Sequence, residues 1–259
     1  MIFLEMETNR KRAEQDQLRN TLIFIGRHWA LLFLCIEIMF FSMIGTNYFS
    51  IQNFQNILMA STTGMLLAIG ETFVIITGGI DLSVGFVVGF TGVICAKIMV
   101  TLQAAGVSQA VSIPVGVLVA IALGLIPGLV NGLLVAKLRV PPFLATFGMY
   151  GIAYGFAEII SGNVPVHNLP SMVGFVGHGY LIYYFPGKTS FFKMSEALTR
   201  EEIKHVVGIV PNVVVLSAIF ILIFAFILAK TQFGQHTYAI GGGMEAEKRA
   251  GINVSRHLI

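Results

Sequence analysis

Six apolar stretches, each about as long as a helix needs to cross a bilayer, constrain this chain more than any other feature. They run from about Trp29 to Ile44, Asn56 to Thr77, Leu82 to Leu102, Val111 to Val135, Phe143 to Ile160 and Val206 to Ala229. A spanning helix takes about 20 such residues. Composition agrees: of 259 residues, 56% are hydrophobic and 11% charged, with a mean hydropathy of +0.82. A soluble domain carries about 25% charged residues, and no soluble fold hides this much apolar surface. The expected fold is all-α, a polytopic transmembrane helix bundle of about six spans.

The net charge of +3 says less than where the charges sit. Arg10, Lys11, Arg12, Arg19 and Arg27 precede the first run, Lys137 and Arg139 follow the fourth, and Lys230, Lys248, Arg249 and Arg256 follow the sixth. Basic residues accumulate on the cytoplasmic side of a membrane protein, so the N-terminus is expected there. The loop at 45–55 has no basic residue, as an outer loop should. The segment 162–205 is also placed outside, although it carries Lys188, Lys193, Arg200 and Lys204 beside Glu196, Glu201 and Glu202. The expected organisation is a cytoplasmic segment 1–28, a membrane bundle 29–230 with an external loop at about 162–205, and a cytoplasmic segment 231–259. Residues 1–28 are polar and mixed in charge, with no small-residue cleavage pattern after the first run, so that run is expected to be a retained helix in a plasma or inner membrane.

Glycines recur every four residues. Gly124, Gly128 and Gly132 do so in the fourth run, Gly85 and Gly89 in the third, and Gly151 and Gly155 in the fifth. That spacing sets them on one helix face, where small side chains let helices approach closely; tight packing is preferred over a ligand role. Pro114 and Pro127 can kink the fourth run.

The sharpest local feature is Gly78-Gly79-Ile80-Asp81-Leu82-Ser83-Val84-Gly85, set between two apolar runs with almost no loop. Two glycines can end one helix with positive φ, and Asp81 can cap the next by accepting from its free N–H groups. An aspartate in hydrocarbon costs roughly 2.5–3.5 kcal/mol on insertion scales, so Asp81 needs such partners or a water-lined site. The segment reads either as a capping hinge or as a substrate or gating element. Glu37, Glu71 and Glu158 are intramembrane carboxylates without an assignable partner, and Glu71 reads as solvated near the end of its span.

Chemistry of other kinds finds little support. Gly187-Lys188-Thr189-Ser190 resembles the tail of a phosphate-binding loop, but position 182, where the first glycine belongs, is Ile. The six histidines are dispersed, Cys35 and Cys95 lie alone in apolar runs, and no nucleophile–base cluster or metal-ligand spacing occurs. No catalytic residue, metal or nucleic-acid partner is expected. Beyond the sixth run, Met244 to Ala250 has helix-forming composition, Gly251 can end it in a left-handed cap, and Ile252 can pack back on it. Ala246 and Ala250 then share one small-residue face. It suits docking into a partner's groove, and equally an ordinary interfacial turn.

Four stretches together resemble the permeases of ribose-, galactose- and xylose-type ABC importers: Ile76 to Gly85, Gly128 to Gly132, Pro141 to Gly148, and Tyr238 to Val254. They occur in family order and cover most of the chain from about residue 55 onward. The last also matches the glutamate-alanine-alanine, three residues, glycine pattern of ABC permeases. Glu245, Ala246 and Gly251 hold the expected positions, while Glu247 replaces the second alanine; with Ala250 they make up the implied coupling segment. The resemblance implies a transport subunit with no ATPase site or cofactor of its own. It implies an ABC ATPase partner that binds ATP, a second permease chain (the same or different), an extracytoplasmic solute-binding protein and a surrounding bilayer. Gly78, Gly79, Asp81, Ser83 and Gly85 form the implied hinge or gating motif. The family continues past this segment with more helices, so the chain is expected to be truncated, and residues 178–205 look like an added external insert. The competing expectations are an ion-coupled secondary transporter with a broken helix at Gly78 to Asp81, or a nonfunctional remnant of a permease.

Overall fold

A computed structural model describes residues 2–192, 199, 202 and 206–259; before Ile23, it describes the side chains of Gln15, Gln17 and Arg19 only. The basic Lys193, Arg200 and Lys204, the acidic Glu196 and Glu201, and the side chains of Arg10, Lys11 and Arg12 lie outside the described residues. Two compact units result, Met1–Phe54 and Gln55–Ile259.

The first unit holds α1 (Ile2–Ile44) and the first turn of α2 (Ile51–Ile76). The helix α1 is continuous except for non-helical backbone at His28 (φ −117°, ψ 15°). The His28 ring stacks near Phe24 and its Nδ1 lies 2.9 Å from the Phe24 carbonyl oxygen. Residues 2–28 are helical and run into the first span, whose apolar part begins at Ile23.

In the second unit α2 is followed by α3 (Val84–Ala104), α4 (Gln109–Ala136), α5 (Pro142–Ser161) and the short α6 (Ser171–His178). Three short strands come next, β1 (Ile182–Phe185), β2 (Lys188–Phe191) and β3 (Val207–Gly208), forming an antiparallel sheet in the order β2-β1-β3. The chain ends in α7 (Asn212–Lys230), α8 (Gln232–Arg249) and α9 (Val254–Leu258). Among the described residues six helices are long and apolar enough to cross a membrane, with little sheet, as expected of a polytopic helix bundle.

One sequence reading changes. The sixth span was expected from Val206, because Val206 to Val210 is apolar apart from Gly208. Those residues instead carry β3, paired to β1 through Tyr183 and Tyr184, and Pro211 forms the N-cap from which α7 departs. An apolar run of β-branched residues does not reveal its period, and proline at a helix start needs no N–H. Gly187-Lys188-Thr189-Ser190 is the turn and outer strand of the β1–β2 hairpin, with Gly187 at φ +79°.

The packing suits a lipid environment. The helix α3 lies against α4 and α5, α7 against α6 and α8, and α9 against α4 and α8. The seams are filled by small and mildly polar side chains: Ser83, Ser112, Thr146, Ala153, Ser217 and Thr237 are buried. Large apolar side chains such as Leu118, Leu125, Leu222 and Phe226 point outward and are more than 60% exposed. Lipid tails are as apolar as leucine, so nothing drives leucine inward, and close approach through small residues holds the helices together. The helix α4 continues through Pro114 and Pro127. At Gly116 a β-carbon would stand 2.8 Å from Met99 Cγ and 3.0 Å from the Cys95 carbonyl oxygen, so the α3–α4 crossing closes on that glycine.

Candidate functional site

The chain between α2 and α3 makes its turn by a Schellman closure. Gly78 has φ +83°; its N–H donates to the Ile75 carbonyl at 2.9 Å and the Gly79 N–H to the Val74 carbonyl at 2.9 Å. These bonds satisfy two of the carbonyls that a helix end leaves free. A side chain at position 78 would strain this left-handed conformation.

Beyond the turn, three helices converge on four residues, Ile80 to Ser83. Asp81 Oδ1 accepts from the Ser83 N–H at 2.7 Å and from the Ser83 hydroxyl at 2.6 Å. The aspartate therefore stands two residues before the N-cap: its acceptor serves the N-cap residue Ser83, not the free amides inside α3. From α4, Asn131 Nδ2 donates to Ser83 Oγ at 3.1 Å. From α5, Thr146 Oγ1 accepts from the Leu82 N–H at 3.2 Å and lies 3.2 Å from the Ile80 carbonyl oxygen. From α2, Glu71 Oε1 accepts from the Asp81 N–H at 3.2 Å. Glu71 is thus folded onto the turn and half-buried, not solvated, and its second carboxylate oxygen is buried without a partner. Ser83, Thr146 and Asn131 are buried, and Asn131 Oδ1 has no hydrogen-bond partner. Charge-assisted bonds of this length are about twice as strong as neutral ones.

The turn forms one wall of a cavity of about 980 Å³. Gly78 to Asp81 line it from α2 and the turn, Gly128, Asn131 and Gly132 from α4, and Pro141, Pro142 and Thr146 from α5. Thr237, Met244, Glu245 and Lys248 line it from α8, and Val254 and His257 from the end of the chain. All four stretches that carry the family likeness therefore border one space, which their separation in sequence did not disclose.

The helix α8 is two helices joined at Gly243, where the backbone is extended (φ 177°, ψ 85°). The first part begins at an N-cap, Thr231, whose hydroxyl accepts from the Gly234 N–H. The second part, Met244–Arg249, ends in another Schellman closure: Gly251 has φ +90°, the Gly251 N–H donates to Lys248 O at 3.2 Å, and the Ile252 N–H to Glu247 O at 3.0 Å. Within it Lys248 Nζ pairs with Glu245 Oε1 at 2.6 Å. That hydrogen bond, the Lys248 charge and, more weakly, Arg139 hold the Glu245 carboxyl below the usual glutamate range. Ala246 and Glu247 lie between these pairing residues, and Ala250 is the C-cap. At the other end, Thr237 Oγ1 and His257 Nε2 hydrogen bond at 3.0 Å, and the His257 ring lies 4.6 Å from that of Phe233. Burial, and then the neighbouring His236, push the His257 imidazole below its ordinary value.

The packing glycines divide into two sets. A β-carbon at Gly124 would meet Thr91 of α3 at 3.3 Å, and one at Gly132 would press on the backbone of Leu258 and Ile259. Gly85, Gly128, Gly151 and Gly155 face no atom of this chain within 4 Å. Sequence reasoning missed Glu71 as a partner of the turn and also passed over Asn131 and Thr146. The signal available for the last two was a polar side chain inside each of two stretches already singled out, Gly128 to Gly132 and Pro141 to Gly148.

Comparison with known proteins fits this geometry. The profile of the family described as branched-chain amino acid transport system / permease component matches residues 53–259. The chain belongs to this family. It is 32% identical over 219 residues to the galactose/methyl galactoside import permease protein of Haemophilus influenzae, covering 82% of this chain and 59% of that protein. It is 31% identical over 227 residues to the ribose import permease protein of Escherichia coli K12, with 88% and 61% covered. To the ribose import permease protein of Bacillus subtilis it is 31% identical over 255 residues, with 97% and 66% covered. The chain thus spans about three fifths of the length of the first two relatives. No solved structure matches it.

Proposed function

We propose that this chain is the membrane-spanning permease subunit of an ATP-driven importer for a sugar or sugar-like solute. One observation carries the reading: the four family-like stretches border a single cavity, and the kinked segment Met244–Arg249 stands at its edge. The names of the ribose and galactose relatives supply the solute class. In this reading residues 1–28 and 231–259 face the cytoplasm, the loop at about 162–205 faces outward, and the membrane is the cell's inner membrane. An ATPase partner binds and hydrolyses ATP, a second permease chain completes the path, and an extracytoplasmic protein delivers the solute. Glu245, Ala246, Glu247, Ala250 and Gly251 form the face that meets the ATPase. The turn at Gly78, Gly79, Asp81, Ser83 and Gly85 is where access changes. The permease makes no covalent bond; the solute and the ATPase need only bind its two conformations with different affinity.

The test is co-purification of the tagged chain from native membranes in mild detergent, followed by uptake in proteoliposomes. Recovery of an ATPase, and ATP-dependent uptake of labelled ribose or galactose that falls when Glu245→Ala or Gly251→Val is introduced while membrane insertion persists, supports the reading. Uptake driven by an ion gradient without any ATPase, or normal uptake in both variants, refutes it. ATP-dependent uptake of leucine with none of either sugar would move the solute to the class named in the family description.

A further inference from the structure

We infer that Gly241 is the positioning residue through which movement of the Met244–Arg249 segment reaches the membrane spans, an inference that rests on the permease reading above. A β-carbon at Gly241 would overlap the carbonyl oxygen of Ile76, and it would stand 3.0 Å from the carbonyl carbon and 3.5 Å from Cγ2 of the same residue. Ile76 is the last residue of α2. The helix α8 therefore meets α2 backbone to backbone, with no side chain between them to yield. Around this point the seat is firm: Thr237 and Ile240 are almost fully buried, and Phe233 of α8 packs on Phe73 of α2 at 5.9 Å between ring centroids.

What lies on either side gives the contact its consequence. Two residues beyond Gly241 the helix breaks at Gly243, and Met244–Arg249 follows. Two residues beyond Ile76 comes Gly78, and the turn it opens is tied to α2 by Glu71, to α4 by Asn131 through Ser83, and to α5 by Thr146. A push on the terminal segment is thus delivered at Ile76, to a turn on which three spans are hydrogen bonded. Packed backbone is stiff and moves as a unit. A methyl group at 241 would lift α8 off α2, so the segment would still dock but its motion would no longer register at the turn. Gly242 provides the control, because a β-carbon there meets no atom within 4 Å. Glycine to alanine improves helix propensity at both positions, so propensity cannot separate them, whereas the Ile76 contact does.

The experiment compares Gly241→Ala and Gly242→Ala in the importer reconstituted with its ATPase and binding protein, measuring ATP hydrolysed per solute taken up. The expected result is a ratio raised about tenfold by Gly241→Ala, within the usual range of coupling between sites, with ATPase recovery as in the parent, a thermal unfolding midpoint lowered by the crowding at Ile76, and Gly242→Ala unchanged in every readout. Equal ratios in the two variants would overturn the inference. Failure of the parent itself to couple hydrolysis to solute would instead overturn the permease reading. Should Gly241→Ala not fold, a second measurement decides. Spin labels at Ile75→Cys and Tyr238→Cys, in a chain with Cys35 and Cys95 replaced by alanine, report the spacing of α2 and α8 with and without trapped nucleotide. An unchanged spacing is what a rigid seat requires, and a spacing that alters between the two states removes it.

Discussion

Removing the Asp81 carboxylate should test the turn most directly. The side chain accepts both the N–H and the hydroxyl of Ser83, at 2.7 and 2.6 Å, and Ser83 is 1% exposed. In Asp81→Ala both donors of the buried Ser83 lose this acceptor. Each buried group left unsatisfied costs about 1–3 kcal/mol, which sums to about 2–6 kcal/mol. Hydrogen bonds inside membrane proteins measure lower, with a mean near 0.6 kcal/mol, because the unfolded chain in the membrane finds other partners. The lower part of the range, about 2–3 kcal/mol, is therefore expected. Asp81→Asn keeps an acceptor oxygen but loses its charge, and charge-assisted bonds are about twice as strong as neutral ones. Its expected loss is about 1 kcal/mol. Equilibrium unfolding of the purified chain in mixed micelles would measure both, with Ser83→Ala closing a double-mutant cycle. The reasoning is refuted if alanine and asparagine at position 81 are equally harmful, or if the effects of Asp81→Asn and Ser83→Ala simply add, since two residues in direct contact must couple.

Two further outcomes follow from the geometry. Gly116→Leu should destabilise the α3–α4 pair by about 1–3 kcal/mol, the usual range for overpacking, because its β-carbon would already crowd Met99 and the Cys95 carbonyl; unfolding no easier than that of the parent would remove this crossing as a close contact. Burial, and then His236, push the His257 imidazole below its ordinary value of 6.5, so as pH falls through that value the unfolded chain takes up a proton more readily than the folded one. Stability of the parent should therefore decline as pH falls from about 7 to 5 more steeply than that of His257→Gln, read from thermal unfolding midpoints across that range; identical slopes would show that His257 does not contribute.

Much of the molecule was legible because one physical demand dominates it. Hydrocarbon admits no unsatisfied backbone, so long apolar runs must be helices, and the spans followed from length and hydropathy alone. Glycines at a helix end were equally readable: Gly78 and Gly251 both take positive φ and both close Schellman turns, since that closure is local and few residues other than glycine accept it. The sixth span began six residues later than expected for a reason that is not local. Val207 and Gly208 are strand residues only because Tyr183 and Tyr184 are there to pair with them. The tertiary structure alone decided the partners of the turn. Glu71, Asn131 and Thr146 stand 10, 48 and 64 residues from the amides and hydroxyl they meet, and which polar side chain faces which seam depends on the rotation of each helix about its axis. The same holds for Gly241. Packing against the end of α2 makes it a place where no side chain fits. Hydropathy is a property of a segment and can be summed along it; a contact is a property of two segments and exists only once both are placed.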